Sequence, residues 1–167
     1  MSHATQRYDF RDKPADYARL VQELTALLAG ESDLVANAAN TSALLFEVLP
    51  DINWVGFYFL KDGELLVGPF QGKPACVRIA MGKGVCGTAA QRRETIVVAD
   101  VHAFPGHIAC DSASQSELVV PLIKDGAVLG VLDVDSPRLA RFDDMDRRGL
   151  EHIAEVFLSG TRLTGEA

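Results

Sequence analysis

The chain has 167 residues, 48% of them hydrophobic, and a formal net charge of −7; this fits one domain with its own core and disfavours nucleic-acid or anionic-membrane partners, which are bound by clustered Lys and Arg. No run approaches the roughly 20 apolar residues needed to cross a bilayer, and Met1 to Lys13 lacks the apolar segment of a secretory signal, so a cytoplasmic location is expected. Three cysteines cannot all pair; a fully disulfide-bonded extracellular framework is thereby excluded, and at least one thiol is left for catalysis, metal binding or burial.

From Pro14 to Ala29 the residues Tyr17, Leu20, Val21, Leu24, Leu27 and Leu28 fall at helical spacing, with Gly30 as a stop. A second helix is expected after Ser32-Asp33, both N-cap residues, and ends before Pro50. Trp54 to Leu60, Lys61-Asp62-Gly63 and Leu65 to Phe70 read as a hairpin, and the pattern returns in Glu117 to Ile123, Lys124-Asp125-Gly126 and Ala127 to Val134. Between them lie short strands near Val77 to Ala80 and Ile96 to Val98, a short helix near Gly84 to Gln91, and a loop from His102 to Ser116. Helical spacing resumes from Phe142 to Leu158. This order predicts an α+β fold with a central antiparallel sheet, helices packed on one face and a ligand pocket on the other.

The loop holding Cys110 is long for a compact domain, and loops of that length are disproportionately functional. Cys76 and Cys86, with nine residues between them, could form half of a zinc site completed by Cys110 and His102 or His107. Structural zinc sites place ligands in closer pairs, so no metal is expected. A redox relay fits better: one nucleophilic thiolate needs a second thiol within reach, and sequence spacing does not limit it. A Cys-His hydrolase using Cys110 with His107 or His102 is a rival that leaves two cysteines without a task.

Alternation puts Val131, Asp133 and Asp135 on one face of their strand, with Glu117 across the hairpin. Three carboxylates on an apolar sheet repel one another and lose hydration, so at least one should stay protonated near neutrality and could donate a proton; the alternatives are solvent-facing acids at strand ends and a divalent metal, for which the hard-oxygen loop signatures are missing. Trp54, Gly56 and Tyr58 alternate on one face of the first hairpin, where aromatics either fill core or wall a pocket. Gly82-x-Gly84-x-x-Gly87 lacks the βαβ setting of a dinucleotide site; its glycines instead leave amides at the start of a short helix to receive an anion such as a carboxylate.

Asn53-Trp-Val-Gly-Phe-Tyr, Gly68-Pro-Phe-Gln-Gly-Lys-Pro-Ala-Cys76, Gly84-Val-Cys-Gly-Thr88, Asp100-Val-His-Ala-Phe-Pro-Gly-His-Ile-Ala-Cys110-Asp and Gly130-Val-Leu-Asp-Val-Asp-Ser136 closely resemble the free methionine-R-sulfoxide reductases, a GAF-domain family. The likeness runs from about Ala15 to about Phe157. It implies that Cys110 attacks the sulfoxide sulfur and becomes a sulfenic acid, that Cys86 or Cys76 resolves it to a disulfide, and that thioredoxin recycles the enzyme without a cofactor. Glu117, Asp133 and Asp135 match carboxylates around the substrate, and Trp54 and Tyr58 match aromatics near its methyl group. The reading divides the chain into an N-terminal extension at 1–13, one GAF-like catalytic domain at 14–163 and a tail at 164–167. The amphipathic helices are compatible with a homodimer. A GAF sensory module that binds a small ligand without converting it is the main alternative, because a fold does not specify function.

Overall fold

Two helices precede any strand, each started by the aspartate that the sequence offers as a cap. The computed structural model describes residues 8–107, 110 and 112–163. Residues 1–7 of the N-terminal extension, the tail at 164–167, and Ile108, Ala109 and Asp111 of the Cys110 motif lie outside the described residues. In α1 (Lys13–Leu28) the Asp12 side chain accepts from the Ala15 amide and Pro14 occupies the first turn, where no amide partner is needed. In α2 (Leu34–Val48) Asp33 accepts from Ala36 N, and Pro50 follows the helix end.

The strands follow as β1 (Trp54–Lys61), β2 (Glu64–Gly72), β3 (Arg78–Ala80), β4 (Ile96–Val98), β5 (Ser116–Lys124) and β6 (Ala127–Ser136). Helix α3 (Gly84–Arg92) lies between β3 and β4, and α4 (Asp144–Gly160) closes the described chain. Both hairpins turn on Asp-Gly. Asp62 and Gly63 have φ of 52° and 83°, and Asp125 and Gly126 have 52° and 78°; two consecutive positive φ values match the right-handed twist of the flanking strands. The described strands make one antiparallel sheet in the order β3-β2-β1-β6-β5-β4.

Strict alternation sorts the sheet's side chains. Val55, Phe57, Leu118, Val120, Leu122, Leu132 and Val134 point towards α1, α2 and α4 and form the larger core with Leu20, Leu24, Leu45, Leu150, Ile153 and Phe157. The opposite face carries Trp54, Tyr58, Val119 and Val131 against Val85, Cys86, Ala89 and Ala90 of α3. Three described helices thus cover the face assigned to helices. The fourth lies on the pocket side, where small residues let it approach the sheet: a side chain at Gly87 would overlap the Ala80 carbonyl oxygen.

Residues ahead of Pro14 join the core. Phe10 is buried against the Tyr17 ring at 5.4 Å between centroids, and Tyr8 donates to Glu23 at 2.6 Å. Among the described residues no helix is long and apolar enough to cross a membrane.

One ionic network ties the first helix to the last. Asp146 has a fully buried side chain that accepts from Tyr17 Oη at 2.8 Å, Lys13 Nζ at 2.7 Å and Arg141 Nη1 at 3.2 Å. It also accepts from the Asp143 amide, completing a capping box at the start of α4. Removing the acid leaves the buried Arg141 guanidinium without its counter-charge, which costs about 3–5 kcal/mol. Asp146→Ala is therefore expected to lower the unfolding free energy by about that amount in urea titrations; a loss below about 1 kcal/mol, typical of an exposed pair, would contradict this placement.

Candidate active site

The site is set by the register of three adjacent strands. Trp54 pairs with Asp135 across β1 and β6, and Asp135 pairs with Glu117 across β6 and β5, so these three form one row on the pocket face. The next row is Gly56, Asp133 and Val119; the next pairs Tyr58 with Val131. Residues directly opposite in an antiparallel pair hold their β-carbons about 5 Å apart. The sheet therefore forces the three carboxylates together over a floor of valines. Gly56 has no side chain because the Phe70 β-carbon occupies its place, and Phe70 stacks on Trp54 at 5.1 Å.

Burial governs the electrostatics. It pushes the Glu117 carboxyl well above the usual carboxylate range, and the neighbouring charge of Asp133 adds to the rise. Asp133 is raised in the same way, first by burial and then by Asp135. The Cys86 thiol, buried in the first turn of α3, donates to Glu117 Oε1 at 3.8 Å; burial and then the charges of Asp133 and Glu117 push it up as well. The Tyr58 phenol is raised by burial and by Asp133. Burial and mutual repulsion thus favour the protonated, uncharged form of Glu117 and Asp133 beyond what water would allow.

Above the acids, Cys76 and Cys110 are joined in a disulfide with a Cα–Cα distance of 5.5 Å. Cys110 is exposed, Cys76 half-buried and Cys86 a free, buried thiol. Side chains from the sheet hold both flanking segments. Trp54 Nε1 donates to the Lys73 carbonyl at 3.2 Å and Tyr58 Oη to the Cys76 carbonyl at 3.0 Å, while Asn53 Nδ2 donates to Ser114 Oγ at 3.1 Å, four residues beyond Cys110. The two aromatics read from the sequence as pocket walls therefore also anchor the segment that carries Cys76.

All the predicted residues except Cys76 line one pocket: Trp54, Tyr58, Cys86, Cys110, Glu117, Asp133 and Asp135. Cys76 reaches it through its bond to Cys110. The pocket volume is about 50 Å³, room for a few ordered waters. Gly84 and Val85 also border it, at a helix start that no side chain caps; the first-turn amides have no partner within the helix and are placed to receive an anion.

Lys83, Ser114, Pro74 and Ile79 also line the pocket, and none of them was read from the sequence as a pocket residue. Lys83 and Ser114 could have been found from their place beside the glycine turn and the Cys110 loop; Ile79 carries no signal that separates it from core. The wide zinc set does not assemble, because Cys76 and Cys110 share a disulfide and the His102 ring lies against Asp100 at 3.0 Å. His107 does border the pocket, and burial followed by the charge of His102 lowers its pKa. Its neighbour Cys110 is engaged with another sulfur, an arrangement suited to redox chemistry rather than hydrolysis.

The family described as GAF domain matches residues 35–157. The chain is 54% identical over 142 residues to the free methionine-R-sulfoxide reductase of Escherichia coli (strain K12), covering 85% of this chain and 86% of that protein. It is 45% identical over 146 residues to the protein of the same name from Saccharomyces cerevisiae, covering 83% and 81%. The X-ray structure of free methionine-R-sulfoxide reductase from Neisseria meningitidis in complex with its substrate superposes with a TM-score of 0.90 at 45% identity, covering 95% of each chain. Likeness of this extent, running through both hairpins and the segments between them, is that of common descent, and the chain belongs to the free methionine-R-sulfoxide reductases, a family of GAF-domain proteins.

Proposed function

We propose that this protein reduces free L-methionine-(R)-S-oxide to methionine, with Cys110 as the attacking sulfur and Cys76 as the first resolving thiol. The observation that carries the reading is the disulfide-linked pair lying over the buried acids on one pocket.

The Cys110 thiolate attacks the sulfoxide sulfur and forms a sulfur–sulfur bond while the oxygen takes up one proton. The hydroxyl then passes to the Cys110 sulfur as the S–O bond of the substrate and the new sulfur–sulfur bond break, so that methionine leaves and Cys110 becomes a sulfenic acid. The thiol of Cys76 then displaces water from that sulfenic acid and forms the disulfide. A dithiol of the thioredoxin class restores both thiols by exchange and is itself oxidised to a disulfide. Cys86 is left out of this first cycle, being buried, raised in pKa and turned towards Glu117.

The carboxylates have two tasks. A protonated acid among Glu117 and Asp133 supplies the proton that the departing oxygen requires, and an ionised neighbour pairs with the substrate ammonium. The helix start at Gly84 and Val85 receives the substrate carboxylate. Trp54 and Tyr58 wall the apolar end. A free amino acid brings both charges that such a site requires, whereas a residue within a polypeptide has neither and its chain has no path through. Reduction of the disulfide frees the Cys110 thiolate that the attack requires, so substrate is converted by the dithiol form. The reducing cytoplasm is the compartment that keeps that form available.

Turnover coupled to thioredoxin and its reductase tests the reading. Free methionine-R-sulfoxide is expected to be consumed catalytically and a peptide containing the same sulfoxide only at background, with Cys110→Ser at background on both. Equal efficiency on the two substrates, or turnover by Cys110→Ser, would overturn it.

The acids also predict a trade between stability and function. A carboxyl whose folded pKa is raised retains a proton that the unfolded chain releases, so stability falls as pH climbs above the unfolded value of about 4. Asp133→Asn removes that penalty while keeping the shape. The ligand-free variant should unfold at a higher temperature than the parent at pH 7, with the gap closing towards pH 4, and it should lose turnover. A midpoint below that of the parent at every pH would contradict the assignment.

A further inference from the structure

Cys86 lies outside the disulfide and outside the reaction cycle above, yet it is buried and lines the same pocket. One donor atom from each of Cys86, Glu117 and Asp133 lies within 4.8 Å of the others, and all three residues are buried. The Cys86 Sγ to Glu117 Oε1 separation is 3.8 Å. A tetrahedral zinc ion bound at about 2.3 Å from sulfur and 2.0 Å from oxygen would set two such donors about 3.5 Å apart. Little movement is needed to bring the sulfur and the oxygen onto one ion.

A second observation points to a ligand. Asp133 is only 5% exposed, and its Oδ1 has no hydrogen-bond partner among the described residues. A buried acceptor left in this condition costs about 1–3 kcal/mol; here it borders a pocket of about 50 Å³. That space holds a single cation with a water. The donor set selects among cations. One thiolate with two carboxylates suits a borderline-soft divalent ion, whereas calcium and magnesium call for six or more oxygens.

We propose that Cys86, Glu117 and Asp133 form a binding site for a divalent cation of the zinc class, available while Cys76 and Cys110 are joined. On binding, the Cys86 S–H bond gives way to a sulfur–metal bond and the proton passes to solvent, together with any proton on the two carboxyls. If the functional reading above holds, the ion takes the place of the substrate ammonium, and the loaded protein does not admit sulfoxide when its disulfide is reduced.

The test uses the full-length oxidised protein and needs no substrate, so its failure is distinct from failure of the reductase reading. Cadmium serves as the spectroscopic probe of the zinc class. With two of the three sulfurs in the disulfide, a thiolate-to-cadmium charge-transfer absorption can come only from Cys86. We expect it to saturate at one equivalent, to be reversed by a chelator and to vanish in Cys86→Ala with circular dichroism unchanged. Asp133→Asn should weaken the affinity by at least about tenfold, the loss typical even of groups that only orient a ligand. Zinc added to the weakly buffered parent should release protons and displace cadmium. No charge-transfer absorption in the parent, or an undiminished one in Cys86→Ala, would overturn the proposal; because the first result is read on the parent itself, it does not depend on how the variants fold.

Discussion

A carboxyl taken out of water loses hydration worth several kcal/mol if it stays ionised, and a second acid beside it raises the cost. Strands β1, β6 and β5 impose that cost on this protein by placing Glu117 directly opposite Asp135 and setting Asp133 one row away. The surrounding structure is arranged to bear it. An apolar core on the far face supplies the folding energy, while burial favours the uncharged form of the acids and so lowers the repulsion. Such strain at a site is tolerated where a bound cationic group or a proton-requiring reaction relieves it.

The same face also controls the sulfur chemistry. Trp54 and Tyr58 stack with one another at 5.9 Å and bond through their polar ends to the carbonyls of Lys73 and Cys76. A rigid strand thus fixes a loop cysteine, and Asn53 on the same segment holds the loop after Cys110 through Ser114. The two sulfurs that meet come from segments 34 residues apart, held by β1 and by the residue that precedes it. The cysteines also differ in depth: Cys110 is exposed, and Cys86 is buried.

Much of this was legible in the sequence, for reasons that differ by element. The hairpins declared themselves through Asp62-Gly63 and Asp125-Gly126, since two consecutive positive φ angles leave few residue choices. The face shared by Asp133 and Asp135 followed from a side-chain period of two, which only a register slip can change. Local pattern could not place α3 on the pocket side, because its apolar stripe reads alike against either face of a sheet. Nor could spacing choose between Cys76 and Cys86 as the partner of Cys110; that choice depends on where the Trp54 and Tyr58 side chains reach. The buried network around Asp146 was missed because Lys13, Tyr17, Arg141 and Asp146 come together only through the packing of α1 against α4.

The order in which the sulfurs act is the step that most needs a direct measurement. Fully reduced protein mixed with one equivalent of free methionine-R-sulfoxide, quenched with acid and mapped by mass spectrometry under non-reducing conditions, reports that order directly. The expected result is one methionine released per chain, a Cys76–Cys110 cross-link and an unmodified Cys86. A first cross-link between Cys86 and Cys110, or methionine released while Cys110 remains a free thiol, would contradict it.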